Sequence, residues 1–331
     1  MKKRKILVII ITLIILTLIF YKIDFVKLIE TFKKFNYRYL VQIVLLYIVT
    51  LIIRGLRWKY LLNNDSKYSA VNLSKVFTVG SMLNAFVPAR AGDLYRAYYL
   101  GSVMGENKIK IFGSVILERI FDGISVFVIL LLTVVYTFNG GAVLKLTYIT
   151  GGLFLGSFLI FFVILKYSNQ ETLNNICLKF TNKLPNKIKN KTQSIMEKGI
   201  NLFFSFIEGF RVLENSTNAL LVIILSFLIW LIEAFIAYLL ILSFGFDIDW
   251  YSGLYVMALT SFSTVIPSAS VFLGPYQIAY IMALGLFGIS KSSAIAVSTI
   301  HQAIFMIILA VIGIFYFLKF NISLNDVKKI R

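Results

Sequence analysis

The feature that most constrains this chain is a series of apolar runs too long and too unbroken for any soluble fold. They lie at roughly 39–56, 111–138, 146–166, 217–244 and 293–318, with a shorter run at 6–21. A bilayer core about 30 Å thick takes about 20 helical residues to cross. Inside hydrocarbon every backbone amide and carbonyl needs a partner within the protein, which leaves helices and closed barrels. Barrel strands alternate apolar and polar residues, and these runs do not. The expected fold is therefore an all-α polytopic membrane helix bundle of about six to eight spans. With 59% apolar and 15% charged residues, a soluble enzyme, a disordered chain and a disulfide-rich secreted domain are all excluded. A single cysteine, Cys177, rules out an internal disulfide and a cysteine-built metal site.

Lys2, Lys3, Arg4 and Lys5 precede the 6–21 run as they would in a secretory signal. No small-residue cleavage site follows, so the run reads as a retained first span whose flanking lysines reach the interface. The basic residues, 33 Lys and Arg against 15 Asp and Glu, set the topology. The 167–215 loop carries seven of them, the C-terminal tail has Lys328, Lys329 and Arg331, and the 139–145 and 245–250 links are nearly bare. The expectation is a multi-pass cell-membrane protein with both termini, 89–110 and 167–215 in the cytoplasm. That order makes 73–88 enter and leave on one side. It also puts the basic 22–38 segment outside, as an amphipathic interfacial helix. Within 167–215, Leu173, Ile176, Cys177 and Phe180, then Phe203, Phe206, Ile207 and Phe210, recur at helical spacing. Basic amphipathic helices of this kind lie on anionic leaflets or extend neighbouring spans. The whole chain, 1–331, reads as one transmembrane domain with candidate repeat halves at about 39–166 and 217–318.

Two membrane-like segments are broken. In the first half, the run from Asn84 to Asp93 (NAFVPARAGD) contains Pro88, Arg90 and Gly92; in the second, Pro267 is followed by Gly274, Pro275 and Gln277. Proline removes a donor and ends the helix, and glycine permits the turn after it. Irregular backbone at membrane depth survives only when buried in protein or lining a polar cavity. Broken segments at corresponding places in two halves point to a transporter site. Pro88, Gly92, Pro267, Gly274 and Pro275 are thus hinge or re-entrant candidates, and an inverted repeat is the matching hypothesis.

Ionisable residues in membrane segments are functional candidates. Arg90, Asp93 and Arg96 share a helical face, and two guanidinium groups around one carboxylate suit a lipid phosphate. Asn84 and Gln277 are polar groups of the broken segments and join the candidate binding set. Glu118 and Asp122 share a face at i, i+4, which is repulsive without a cation. Arg119 cannot serve both, so Arg90 or Arg54 is the expected partner. Glu233 sits mid-span, and His301, the one histidine, titrates near neutrality; together they form a candidate proton relay. Arg54, Arg57 and Trp58 read as interfacial anchors.

The ordered set PARAGDLYRAYYLG (88–101), VILERIFDG (115–123), the Pro267–Gln277 segment and His301-Gln302 resembles the lysylphosphatidylglycerol synthase transmembrane-region family, the flippase-like domain proteins of bacteria and archaea. The resemblance covers nearly the whole chain. Where that family usually has Gly-Glu this chain has Gly92-Asp93, which keeps the carboxylate. Where it usually has a Pro-Gly-Gly-x-Gly-x-x-Glu run, Ser270–Gln277 lacks two glycines and the carboxylate. Larger members continue into a soluble aminoacyl-transferase domain, whereas about a dozen residues follow the last span here. The resemblance implies a stand-alone module that moves a polar or anionic lipid, phospholipid or polyprenyl-phosphate, between leaflets. It implies no enzyme activity and no cofactor. Two alternatives stay open. One is a non-transporting partner of a lipid-modifying enzyme, and a homo-oligomer fits either role. The other is a membrane glycosyltransferase using a polyprenyl-phosphate sugar, for which Asp247 and Asp249 form an Asp-x-Asp in a short link. No Gly-x-Ser-x-Gly, His-Glu-x-x-His or P-loop pattern occurs. Nucleic acid is not an expected partner, because the basic residues flank spans.

Overall fold

A computed structural model describes residues 25–319 apart from 64, 88–89, 138–144, 146–147, 154–155, 157, 161–162, 164–168, 183–185 and 265–273. The chain is an all-α membrane helix bundle. In order come α1 (Phe25–Lys33), α2 (Arg38–Leu61), α3 (Ala70–Phe86), α4 (Ala91–Met104), α5 (Lys108–Thr137), α6 (Gln170–Thr181), α7 (Asn186–Ile207), a 3-10 segment (Glu208–Glu214), α8 (Ser216–Ser243), α9 (Ser252–Ser263), α10 (Pro275–Gly285) and α11 (Lys291–Lys319). Among the described residues α2, α5, α8 and α11 are long and apolar enough to cross a membrane. The 6–21 run and the hinge candidates Pro88 and Pro267 lie outside the described residues. The 146–166 run is described in part: residues 148–153 are helical, and Gly151 rests against Leu131 of α5.

Contacts at the helix ends set the directions. Asn36 N donates to Ser243 O at 2.7 Å, so α2 begins where α8 ends, and the two run antiparallel. Thr31 of α1 bonds Ser293 at 3.2 Å, which places α11's start at the same end. The rings of Tyr136, at the end of α5, and Tyr251 lie 6.0 Å apart there. At the other end Lys67 bridges Glu106 at 3.2 Å, and Lys110 bridges Glu208 at 3.3 Å. The basic 22–38 segment therefore includes a short helix seated on the bundle end, through its buried Thr31.

Two helical hairpins fill the space between the long helices. The α3–α4 hairpin has 17- and 14-residue arms, about 26 and 21 Å at 1.5 Å per residue. The α9–α10 arms have 12 and 11 residues, about 18 and 17 Å. No arm crosses a 30 Å core (a depth of about 20 residues). The first hairpin leaves and returns at the 106–110 end, where Gly101 of α4 lies on Lys108. The second leaves and returns at the 245–251 end, where the rings of Tyr251 and Phe287 are 5.6 Å apart. The packing recurs between the halves: α2 lies on α3 as α8 lies on α9, and α4 on α5 as α10 on α11. The hairpins are exchanged, with α3 packed on α11 and α9 on α5, while α2 and α8 pack on each other. The antiparallel arms of the first hairpin touch through Gly80 and Gly92, where a Cβ on Gly92 would overlap Gly80 O. The loop's amphipathic stretches fall in α6, α7 and the 3-10 segment, with Cys177 and Phe210 buried and Ile176 and Phe180 exposed.

Candidate functional site

Each broken segment is closed by its own polar side chain. In the first hairpin the Asn84 Oδ1 accepts from Gly92 N at 2.8 Å, and its Nδ2 donates to Asp93 Oδ1 at 3.0 Å. Arg90, at the turn, adopts φ +51°, a left-handed conformation that costs a side-chain-bearing residue about 1–2 kcal/mol. In the second, Gly274 has φ +96°, a region open to glycine, and Pro275 opens α10 where no amide donor is needed. Gln277 Oε1 accepts from Gly274 N at 2.8 Å, and its Nε2 donates to Gln302 of α11 at 2.9 Å. An amide does both jobs at once; a carboxylate could accept but not donate. The hairpins, coming from opposite ends, meet tip to tip: Arg90 Nη2 donates to Thr264 O, just past the end of α9, at 3.3 Å.

Beside this junction lies a chain of buried charges. Arg57 reaches Asp122 at 2.6 Å, Glu118 at 3.2 Å and the Ser226 hydroxyl at 2.9 Å. Arg96 holds both oxygens of Glu118, at 2.6 and 3.4 Å. Arg119 bridges Asp93 at 2.9 Å and approaches Asp122 at 3.8 Å. Arg54 pairs with Glu233 at 3.3 Å and stands 4.0 Å from Asp122, which also accepts from Trp230 Nε1 at 3.0 Å. Four guanidinium groups face four carboxylates, so the network is formally neutral. Desolvating charges is costly, and aromatic faces offset part of it: the Arg96 guanidinium is 4.2 Å from the Trp58 ring centre, and that of Arg54 is 5.3 Å from Trp230.

This corrects the reading of Arg54, Arg57 and Trp58 as interfacial anchors. Arg57 and Trp58 are 0% exposed, because the Glu118–Asp122 pair on α5 demands cations and α2 supplies them. Of the expected partners Arg54 does approach Asp122, whereas Arg90 makes no ion pair among the described residues. Ser226, Trp230 and Tyr47 were not singled out from the sequence; the unpartnered Glu118–Asp122 face was the one signal pointing toward helices elsewhere.

A cavity of about 520 Å³ opens at the hairpin junction. Asn84, Arg90, Arg119, Asp122, Glu233 and His301 all line it. Asp93, Arg96, Glu118 and Gln277 are buried behind its wall, held by the partners just described. On the α11 side the His301 Nε2 bonds the Tyr47 hydroxyl, and its Nδ1 bonds the Tyr280 hydroxyl and, at 3.0 Å, that of Tyr276. Glu233 and His301 thus face one cavity, each engaged by other groups. The rest of the wall is largely apolar, with Phe77, Val126, Phe262 and Phe305. Asp247 and Asp249 are exposed in the α8–α9 link, where Asp249 accepts from the Tyr251 hydroxyl at 2.7 Å.

Comparison with known proteins gives a consistent picture. Residues 5–313 match the family described as lysylphosphatidylglycerol synthase TM region. A UPF0104 membrane protein of Methanocaldococcus jannaschii is 29% identical over 243 residues, 72% of this chain and 95% of the relative. Another, of Pyrococcus horikoshii, is 24% identical over 317 residues, covering 92% of this chain and 93% of the relative. No solved structure is significantly similar.

Proposed function

The chain belongs to the lysylphosphatidylglycerol synthase TM-region family, and on that premise we propose that it moves polar or anionic lipid headgroups between the leaflets of the cell membrane. The observation that carries this reading is the meeting of two broken hairpins from opposite ends, through Arg90 and Thr264, at the wall of a cavity. A headgroup in mid-membrane needs polar partners that lipid cannot supply. Paired broken helices around a central site are how transporters provide them.

The two halves, α2–α5 and α8–α11, act as an inverted repeat whose exchanged hairpins are the two gates. Parting the tips on one side opens the cavity to one leaflet, and rocking of the halves presents it to the other. Arg90 holds the phosphate, with Arg119 beside it in the wall. The buried ion network joins α2, α4 and α5 of the first half and reaches α8 of the second through Arg54 and Glu233, so it braces the first half and couples it to the second as they move. Glu233 and His301, sharing the cavity, are the groups through which proton movement couples to headgroup movement. Both termini face the cytoplasm, as the basic loops require.

The test is headgroup movement in proteoliposomes. Arg90→Ala abolishes it while leaving a folded, monodisperse protein, and normal movement by this variant refutes the site. Asp247→Asn with Asp249→Asn leaves movement unchanged, since both carboxylates lie outside the cavity; loss of a metal-dependent activity in that variant would instead favour a glycosyltransferase.

A further inference from the structure

Resting on the lipid-moving reading, we propose that the cavity selects headgroups of single net negative charge, a phosphodiester without an amine, and rejects those carrying an ammonium group. The support is the charge balance of its wall. Every carboxylate in or behind the wall already faces a guanidinium: Glu233 that of Arg54, Asp122 that of Arg57, Asp93 that of Arg119 and Glu118 that of Arg96. An incoming ammonium would have to displace one of these partners and strand a buried guanidinium, which is strongly unfavourable.

Arg90 is the exception on the positive side. It bonds a backbone carbonyl and forms no ion pair among the described residues. The network is also short of acceptors. The Nε atoms of Arg57, Arg96 and Arg119 are buried without a hydrogen-bond partner. Asp122 Oδ2 lacks a hydrogen bond too, but two guanidinium groups cover its charge at 3.8 and 4.0 Å. A phosphodiester monoanion on Arg90, its second oxygen toward Arg119, adds an acceptor beside Arg119, the one of those three arginines that lines the cavity, and leaves the loaded cavity neutral. A zwitterionic headgroup leaves one positive charge at membrane depth, and a lysylated one, with its two ammonium groups, leaves two. Uncompensated charge there is costly, so the balance selects for charge and not for size.

The experiment uses the full chain in proteoliposomes holding trace phosphatidylglycerol, phosphatidylethanolamine or lysyl-phosphatidylglycerol. Periodate reports the exposed glycerol headgroup, and an amine-reactive dye reports the other two. The expected result is phosphatidylglycerol moving at least tenfold faster than either amine lipid. Arg90→Lys retains that preference, and Arg90→Gln, like Arg90→Ala, abolishes movement of all three lipids. Equal rates for all three lipids, or fastest movement of the lysyl lipid by the unaltered chain, overturn the charge rule and leave lipid movement standing. If none moves, the lipid-moving reading fails. Native mass spectrometry with the same lipids then decides the charge rule alone: a preference for phosphatidylglycerol that Arg90→Gln erases supports it, and any other pattern overturns it.

Discussion

Replacing Arg57 with leucine tests whether the buried ion network holds this bundle together. The side chain is 0% exposed and reaches Asp122 at 2.6 Å, Glu118 at 3.2 Å and Ser226 at 2.9 Å. Removing one partner of a buried pair costs about 3–5 kcal/mol, because the remaining charge stays desolvated. Here the loss is moderated. Glu118 keeps both bonds from Arg96, and Asp122 keeps Trp230 and the flanking Arg54 and Arg119. The expected cost is therefore about 3 kcal/mol, the low end of that range. It is read as a lowered unfolding midpoint in detergent, followed by size-exclusion chromatography after heating. Arg57→Lys is expected to recover less than half, since a single ammonium cannot span two carboxylates and a hydroxyl as a planar fork does. Arg57→Leu combined with Asp122→Asn recovers more than half, because it removes the stranded charge. A surface anchor behaves differently: its loss costs about 1 kcal/mol or less, and lysine restores it. Arg57→Leu within about 1 kcal/mol of the unaltered protein, or full rescue by lysine, would refute the structural role given to Arg57.

Other substitutions probe the hairpins and the cavity. Gly92→Ala drives a methyl group into Gly80 O and should part α3 from α4, seen as loss of folded, monodisperse protein on purification. Gln277→Leu orphans Gly274 N and removes the tie to Gln302, with an expected loss of about 1–3 kcal/mol in thermal stability; Gln277→Glu keeps the cap and loses only the tie to Gln302, so it should fall between. Tyr47→Phe frees His301 Nε2 from its hydroxyl partner and is expected to change the pH dependence of headgroup movement; an unaltered profile argues against a proton role for His301.

The spans were legible because hydropathy and length are local properties. Runs at 39–56, 111–138, 217–244 and 293–318 became α2, α5, α8 and α11 with small shifts at the ends. The broken segments were legible for the same reason, since glycine and proline act on their own stretch of backbone. Gln277 and Asn84 were visible as polar residues in unusual places, but their work as caps for Gly274 and Gly92 needed the turn geometry. Arg54 and Arg57 were misplaced at the interface because each stands near the end of an apolar run, where arginine commonly anchors, and their acids lie on α5 and α8.

What the sequence by itself determined is where the long apolar helices α2, α5, α8 and α11 form, where two of the segments break, and which charged residues are too costly to sit in lipid without a purpose. Which carboxylate meets which guanidinium, that the two broken tips meet at Arg90 and Thr264, and that among the described residues Arg90 lines the cavity without an ion pair while Arg96 spends its charge on Glu118, only the tertiary structure decided. The reason is physical. Burial of an apolar run is fixed by its composition, whereas the partner of a buried charge is chosen by how helices far apart in the chain cross, and that choice leaves no local trace.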